Sequence, residues 1–375
     1  MSRLIVIVLV GFLNLISIPP GINSGYNMTE VMRYLPDAHS REIFRKNFYL
    51  DSAGRIHRRS HKPSAVDPWL LKYFYPDEAG HLYPIKDFRS ARFFFSRKTR
   101  FLLYTKGHSR RQILRRKDPE SIRRSRFDKN NPTKIIIHGF RENAKAEINK
   151  LLRDAYFSKG EYNVIVVEWD AGSFLICYLI ARGRVEKIGR SVSTLINTLV
   201  KATEISPSSI ELIGFSLGAH VAGNAGKFQK GKIGKIYALD PSGVFFTPSN
   251  RDCVKKTDAQ IVEVIHTSCL GLREPIGTVD FYMNSAFHQP GCSTDIFSSC
   301  SHQRAYRYFA ESVTSTVGFW GKKCQKMQYN SNGVGCDEFA TETLQMGERD
   351  GDQTGMDGNY LIETNNKPSF SQGKP

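Results

Sequence analysis

The sequence predicts an α/β fold, a mostly parallel central sheet with helices on both faces. Short apolar runs rich in Ile and Val recur at 133–137, 163–168, 210–213 and 235–239. Continuous runs of this kind are strands buried on both faces rather than half-exposed ones. Between them lie longer segments with apolar residues three and four positions apart, the spacing of helices. Strands that alternate with helices build parallel sheets, because each crossover carries a helix.

Met1-Ser2-Arg3 is followed by an apolar run at 4–18, broken by Gly11, Asn14 and Ser17, and then by small residues at 19–25. A basic start, a short apolar core and a small-residue end describe a secretory signal peptide. The run is short for a bilayer span, which needs about 20 apolar residues. Residues 1–24 are therefore expected to be a leader removed on export, with no transmembrane segment in the chain. Residues 25–85 read as a polar, basic N-terminal arm in the position of a pro-segment. It carries Arg55-Ile56-His57-Arg58-Arg59, read as an exposed basic loop in preference to a processing site. Asn27-Met28-Thr29 is an acceptor for N-glycosylation.

Residues 86–375 hold the alternating elements. Strands are expected at 91–104, 133–137, 163–168, 210–213, 235–239 and 260–266. Helices are expected at 142–157, with Ala146, Ile148, Leu151, Leu152 and Ala155 on one stripe, and at 185–201, with Ile188, Val192, Leu195 and Leu199. Two more follow at 219–228 and around 305–309.

The formal net charge is +17, and residues 91–130 hold fourteen Lys/Arg against three Asp/Glu. Anionic lipid headgroups or a heparin-like sulfated glycan suit such a stretch, and a solvated basic face is the plainer reading. Export argues against nucleic acid. Of seven cysteines, Cys253, Cys269, Cys292, Cys300, Cys324 and Cys336 cluster in the last third and Cys177 stands alone. Sequential pairing joins 253–269, 292–300 and 324–336, one of fifteen pairings that six cysteines allow. No Cys-x-x-Cys pair suggests zinc, and no cofactor or metal is expected.

The chemistry starts at the join of the 210–213 strand and its helix, Gly214-Phe215-Ser216-Leu217-Gly218. A nucleophile elbow of the α/β-hydrolase fold needs this arrangement: small residues on both sides of the serine permit the tight crossing from strand to helix. The helix N-terminus then favours negative charge at the hydroxyl. A serine nucleophile needs a base, and the base needs an orienting group. Asp240, in Leu239-Asp240-Pro241, ends the next strand at the sheet edge where sites gather. His266, His288 and His302 all follow it in chain order. His302 is favoured over His266 because a 292–300 disulfide would pin its loop, and a base needs fixed placement. Backbone N–H donors for an oxyanion are expected from Leu217 and from Phe140, in Ile135-Ile136-Ile137-His138-Gly139-Phe140.

With these residues in hand, the chain resembles the pancreatic-lipase family, nearest to insect neutral lipases and the phospholipase A1 branch that includes wasp-venom phospholipases A1. The matching pieces run in order from about residue 90: His138-Gly139-Phe140, Gly214 to His220, Leu239-Asp240-Pro241, and Val264-Ile265-His266-Thr267. They continue with Asp280-Phe281-Tyr282, Gln289-Pro290-Gly291-Cys292, Cys300-Ser301-His302 and Arg304-Ala305-Tyr306. The resemblance implies Ser216, Asp240 and His302 as a triad, Phe140 and Leu217 as oxyanion donors, and His266 as a structural residue. It implies a secreted hydrolase of lipid carboxylic esters acting at a lipid–water interface, with a phospholipid or glyceride as substrate. Triglyceride-active members carry a long lid between the cysteines matching Cys292 and Cys300. Here only residues 293–299 intervene, and the 266–280 loop is short as well, so phospholipase A1 is the expected activity and triacylglycerol lipase the alternative. A non-catalytic, yolk-protein-like lipid carrier is a third reading, opposed by the intact serine, aspartate and histidine. The C-terminal β-sandwich of larger members is not expected. Two departures stand out: Asn284-Ser285-Ala286 where the family often has Asn-Gly-Gly, and the richness of the basic stretch.

Overall fold

The computed structural model describes residues 99–169 apart from Ser109, then 178, 181–292, 298–348 and 356–374, together with the backbone of four short strands between 48 and 84. The expected leader, Asn27, Cys177 and residues 91–98 lie outside the described residues. The chain forms two units. In the first, β1 (Phe48–Leu50), β2 (Ile56–Arg58), β3 (Phe74–Pro76) and β4 (Leu82–Pro84) make an antiparallel sheet in the order β1-β2-β4-β3. The segment read as a polar, basic arm contains a sheet, and Ile56–Arg58 is a strand rather than a loop. Three-residue strands are too short to show an alternating pattern in sequence.

The second unit contains β5 (Arg100–Tyr104), β6 (Gln112–Leu114), α1 (Pro119–Arg123), β7 (Thr133–Ile137), α2 (Glu147–Lys159), β8 (Asn163–Glu168) and α3 (Val185–Thr203). It continues through β9 (Ile210–Phe215), α4 (Leu217–Phe228), β10 (Lys235–Leu239), β11 (Ile261–His266), β12 (Val279–Met283), α5 (Ser299–Thr314), β13 (Phe319–Asn330), β14 (Gly333–Met346) and β15 (Gly358–Ile362). The sheet order is β14-β13-β15-β12-β11-β10-β9-β7-β8-β5-β6. Pairs from β8 through β7, β9, β10, β11 and β12 to β15 are parallel, and the strands at either flank are antiparallel.

Burial follows the pleat. Ile136, Ile213, Phe215, Tyr237 and Leu239 share one cluster with Ile148, Leu152 and Tyr156 of α2 and with Ala305, Tyr306 and Phe309 of α5. Residues one position along each strand point to the other face, where α3 packs on α4. All five residues of β7 and of β10 are buried, as strands covered on both faces must be. The stripe on α3 is as expected, with Ile188, Val192, Leu195 and Leu199 all buried.

Three features depart from the sequence reading. The 142–157 helix starts at Glu147, because residues 141–146 turn the chain away from β7, with Arg141 at φ 61°. Strands β12 to β15 were not assigned from sequence; β13 and β14 form a long hairpin of half-buried and exposed positions that lacks an apolar run. Asn284, Ser285 and Ala286 take φ of 47°, 66° and 49°, left-handed values that glycine adopts more readily, so this triplet carries local strain.

Two of the three sequential disulfides are present, Cys292–Cys300 and Cys324–Cys336, each with Cα atoms 5.8 Å apart. The expected 253–269 bond is not formed. Cys253 packs on α4, where Asn224 and Lys227 donate to the Asp252 and Cys253 carbonyls. Cys269 lies in the loop after β11, its Sγ 2.9 Å from Ser298 Oγ at the start of α5. The two cysteines thus pack beside different helices, Cys253 on α4 and Cys269 at the start of α5. Burial pushes the Cys253 thiol up to about 12, which suppresses the thiolate needed for exchange.

Candidate active site

Ser216 lies between β9 and α4 with φ 56° and ψ −120°, a backbone state that costs of order 1–3 kcal/mol for a residue with a side chain. The surroundings hold it there. Its N–H donates to Leu239 O of β10 at 3.0 Å. A Cβ on Gly214 would sit 2.3 Å from Gly218 O, and one on Gly218 would sit 2.2 Å from Ile137 O. Both are backbone atoms that cannot move aside, so the crossing requires these two glycines.

Asp240 follows β10 and is fully buried. Its Oδ1 accepts from Thr267 N at 2.8 Å and from Ser268 N at 3.3 Å. Its Oδ2 accepts from Ser268 Oγ and, at 2.5 Å, from Nδ1 of His302. This bond fixes the imidazole tautomer and leaves Nε2 as the nitrogen for proton exchange. His302 is in the first turn of α5, next to the Cys292–Cys300 link, and its side chain is 13% exposed. Its ring lies against Phe215, the residue before the serine, with centroids 4.5 Å apart. Ser216, Asp240 and His302 are thereby gathered at the carboxyl ends of β9, β10 and β11.

Leu217 is the first residue of α4, so its N–H has no acceptor within the helix. Gly139 passes close to the elbow: a Cβ there would be 3.0 Å from Ser216 Cβ. That places Phe140 beside the nucleophile, with its ring 5.1 Å from Tyr178, edge-on. The Tyr178 hydroxyl donates to Val244 O at 2.7 Å and meets Ser242 Oγ at 2.7 Å, tying this loop to the one that follows Asp240.

The loop has a second support that sequence reasoning missed. Gly139 N–H donates to Glu142 Oε2 at 2.7 Å. Burial raises the Glu142 carboxyl from the usual range to about 7, against the opposing pulls of the Gly139 N–H and of His302. A carboxyl that is harder to ionise when folded favours the folded state at low pH, and that contribution is lost as pH rises from about 4.5 through about 7. Glu142→Gln keeps an acceptor and does not titrate. The melting temperature of Glu142→Gln, relative to the unsubstituted protein, is expected to rise by a few degrees between pH 4 and pH 8, on the order of 1–2 kcal/mol. A difference that stays flat across that window would refute the buried carboxyl.

Three other histidines are committed elsewhere, and His288 is exposed in the turn before Pro290. His266 is fully buried and both ring nitrogens are engaged, Nδ1 with Leu272 O at 2.8 Å and Nε2 with Asp280 Oδ1 at 2.9 Å. His220 is stacked on Phe246 and bonded to Ser242 O and Val254 N, and burial lowers it to about 3. His138 is lowered to about 4 by burial and stacks on Trp169. Ser268 also escaped sequence reasoning, and Gln289 was named only as part of a family match, without a role. Ser268 contacts both Asp240 and His302, and Gln289 Nε2 donates to Thr267 O and Met283 O at 2.8 and 2.7 Å, bracing the loop that wraps Asp240. For Ser268 the available signal was its neighbours His266-Thr267. Among the described residues no group of three or more His, Cys, Asp or Glu side chains is disposed to hold a metal, and no helix is long and apolar enough to cross a membrane.

A family model described as Lipase matches residues 82–370. Pancreatic triacylglycerol lipase of Cavia porcellus is 34% identical over 308 residues, covering 73% of this chain and 65% of that protein. Phospholipase A1 of Vespa crabro is 39% identical over 199 residues, covering 48% of this chain and 65% of its own length. Inactive pancreatic lipase-related protein 1 of Canis lupus familiaris is 32% identical over 309 residues, covering 73% and 65%. The alignments span 54% to 65% of these and of the mouse pancreatic triacylglycerol lipase. Since one such relative is named as inactive, similarity by itself does not decide whether the serine works.

Proposed function

Because the chain belongs to the lipase family, we propose that it is a secreted serine hydrolase of lipid carboxylic esters, with Ser216 as nucleophile, His302 as base and Asp240 as the group that orients it. The observation that carries this reading is the 2.5 Å bond from His302 Nδ1 to the fully buried carboxylate of Asp240, beside a serine held at positive φ. A buried carboxylate accepting from four donors is well suited to offset an imidazolium.

Ser216 Oγ attacks the ester carbonyl carbon while His302 Nε2 takes the hydroxyl proton. The oxygen left negative accepts from the N–H groups of Leu217 and Phe140, each contributing about 3 kcal/mol to the transition state. Collapse breaks the bond to the leaving alcohol, which receives the proton from His302. Water then attacks the acyl-enzyme by the same path and releases the fatty acid. Protein groups and water suffice for each step.

For the substrate we favour the sn-1 ester of a phospholipid. The Cys292–Cys300 bond closes a loop of only seven intervening residues, which supplies little apolar surface to cover a triglyceride. The similarity to a wasp phospholipase A1 is in the same direction. The test is product analysis on phosphatidylcholine labelled differently at sn-1 and sn-2, beside a triglyceride emulsion. Release of the sn-1 label with little triglyceride turnover is the expected result. Triglyceride turnover at least as fast makes the protein a general lipase, and hydrolysis of neither by folded protein brings the carrier reading forward.

A further inference from the structure

The cations between Lys106 and Lys129 lie at the end of the sheet away from Ser216. Strand β8 gives the direction: its carboxyl end, Val167 and Glu168, pairs with Phe101 and Arg100, and Val164 near its amino end pairs with Tyr104 and Lys134. Gly139, Ser216 and Asp240 each follow the carboxyl end of a strand parallel to β8. The chain leaving Tyr104 emerges at the amino ends instead. There the 105–111 and 124–131 loops are tied into one surface. Arg126 N–H donates to Gln112 Oε1 at 2.7 Å and its guanidinium to Arg110 O. Asn163 Nδ2, at the start of β8, donates to Asp128 O at 2.7 Å and Asn131 O at 3.0 Å.

These two loops carry six cations, Lys106, Arg110, Arg111, Arg124, Arg126 and Lys129, against one carboxylate, Asp128. All six except Arg126 are exposed. The nearby carboxylates Asp118 and Glu120 are occupied by Arg115 and Arg123. Beside the loops lies a cavity of about 310 Å³ lined in part by Tyr104, His108, Arg153 and Phe157, with the Arg153 guanidinium 5.3 Å from the Tyr104 ring centroid. A dense set of cations without carboxylate partners recruits a polyanion by releasing its counterions; the recess beside it offers the Tyr104 and Phe157 rings to a sugar face, its Arg153 being paired with Asp154.

We propose that this amino-end pole is a docking surface for a sulfated polysaccharide, which tethers the protein with its Ser216 end turned outward. Anionic lipid is the poorer partner on geometric grounds. A bilayer held at this pole would lie at least one strand length, six residues or roughly 20 Å, from the serine, whereas a polymer bound there leaves the far end open. The surface goes beyond the proposed hydrolysis and does not depend on the triad.

The experiment is salt-gradient elution of the full chain from immobilised heparin. It compares the unsubstituted protein with a quadruple variant, Arg110→Ser, Arg111→Ser, Arg124→Ser and Lys129→Ser, and with the matching Arg→Lys variant that keeps Lys129. The unsubstituted and Arg→Lys proteins are expected to be retained, and the serine variant to elute early. The slope of log affinity against log salt is expected to fall by about one for each cation removed. Ser216→Ala is expected to elute with the unsubstituted protein, so loss of the hydrolase reading would leave this one standing. Hydrolysis of a water-soluble ester is expected to be unchanged by saturating heparin fragment. Equal elution of the serine variant, or inhibition by the fragment, overturns the proposal. So does loss of binding to phosphatidylserine-containing vesicles in that variant with heparin retention intact, which would make the pole a lipid contact.

Discussion

Ser216→Ala is expected to lower kcat for ester hydrolysis by roughly 10⁴- to 10⁶-fold with little change in melting temperature. The hydroxyl is the one group in the site that forms and breaks a covalent bond in the proposed route. Alanine keeps the Cβ that fits the elbow, and the fold-determining contacts there, Gly214 on Gly218 and Gly218 on Ile137, are untouched. The residual rate should reflect the Leu217 and Phe140 amides and substrate binding alone. Labelling of the folded protein by a fluorophosphonate probe should disappear in the same variant. Hydrolysis that survives the substitution near its full rate would move the nucleophile elsewhere, and a folded protein that is neither labelled nor active would place this chain with its inactive relative.

Asp240→Asn is expected to cost about 10⁴-fold in kcat at neutral pH, with KM nearly unchanged. The carboxylate accepts on both oxygens, from Thr267 N, Ser268 N, Ser268 Oγ and His302 Nδ1. An amide has one acceptor oxygen. If that oxygen keeps Thr267 and Ser268 N–H, the NH₂ faces His302 and forces the proton onto Nε2, the wrong tautomer for a base. If the amide turns over, two backbone N–H groups in a fully buried site lose their acceptor, at about 1–3 kcal/mol each. Activity and thermal unfolding separate these cases: a rate loss with an unchanged melting temperature marks the tautomer effect, and a shared loss marks the broken loop. A fall of less than about tenfold would remove Asp240 from the orienting role.

Much of the fold and site was legible in sequence because it is local. The elbow is complete within one strand, one turn and one helix, and its glycines report a close approach that any larger residue would block. The buried parallel strands announce themselves because helices cover both faces, so their central positions form continuous apolar runs. Phe140 and Leu217 were proposed as sequence neighbours of such strands. Where burial was one-sided or segments were short, the signal failed, as in the β13–β14 hairpin and the three-residue strands before residue 85.

Other decisions lay beyond sequence because they join distant residues. His266 and His302 both follow Asp240 in the chain; the expected 292–300 disulfide favoured His302, and the family resemblance implied it, but no local pattern gives the contact itself. Folding decides it: β11 buries His266 against Asp280 and Leu272, while α5 brings His302 across 62 positions to the carboxylate. The same holds for Glu142 under Gly139, for Ser268 and Gln289 around Asp240, and for Cys253, which packs on α4 away from the cysteine expected as its partner. It holds as well for the basic residues between 106 and 129, whose abundance is a fact of composition but whose position at the amino ends of the strands is a fact of register. The sequence by itself determined the α/β architecture, the elbow and the residues from which a triad is drawn, since each rests on burial, backbone sterics and short motifs. Only the tertiary structure decided what braces Asp240 and Gly139 and where those cations face, since these depend on contacts between chain segments whose distance in space no local pattern encodes.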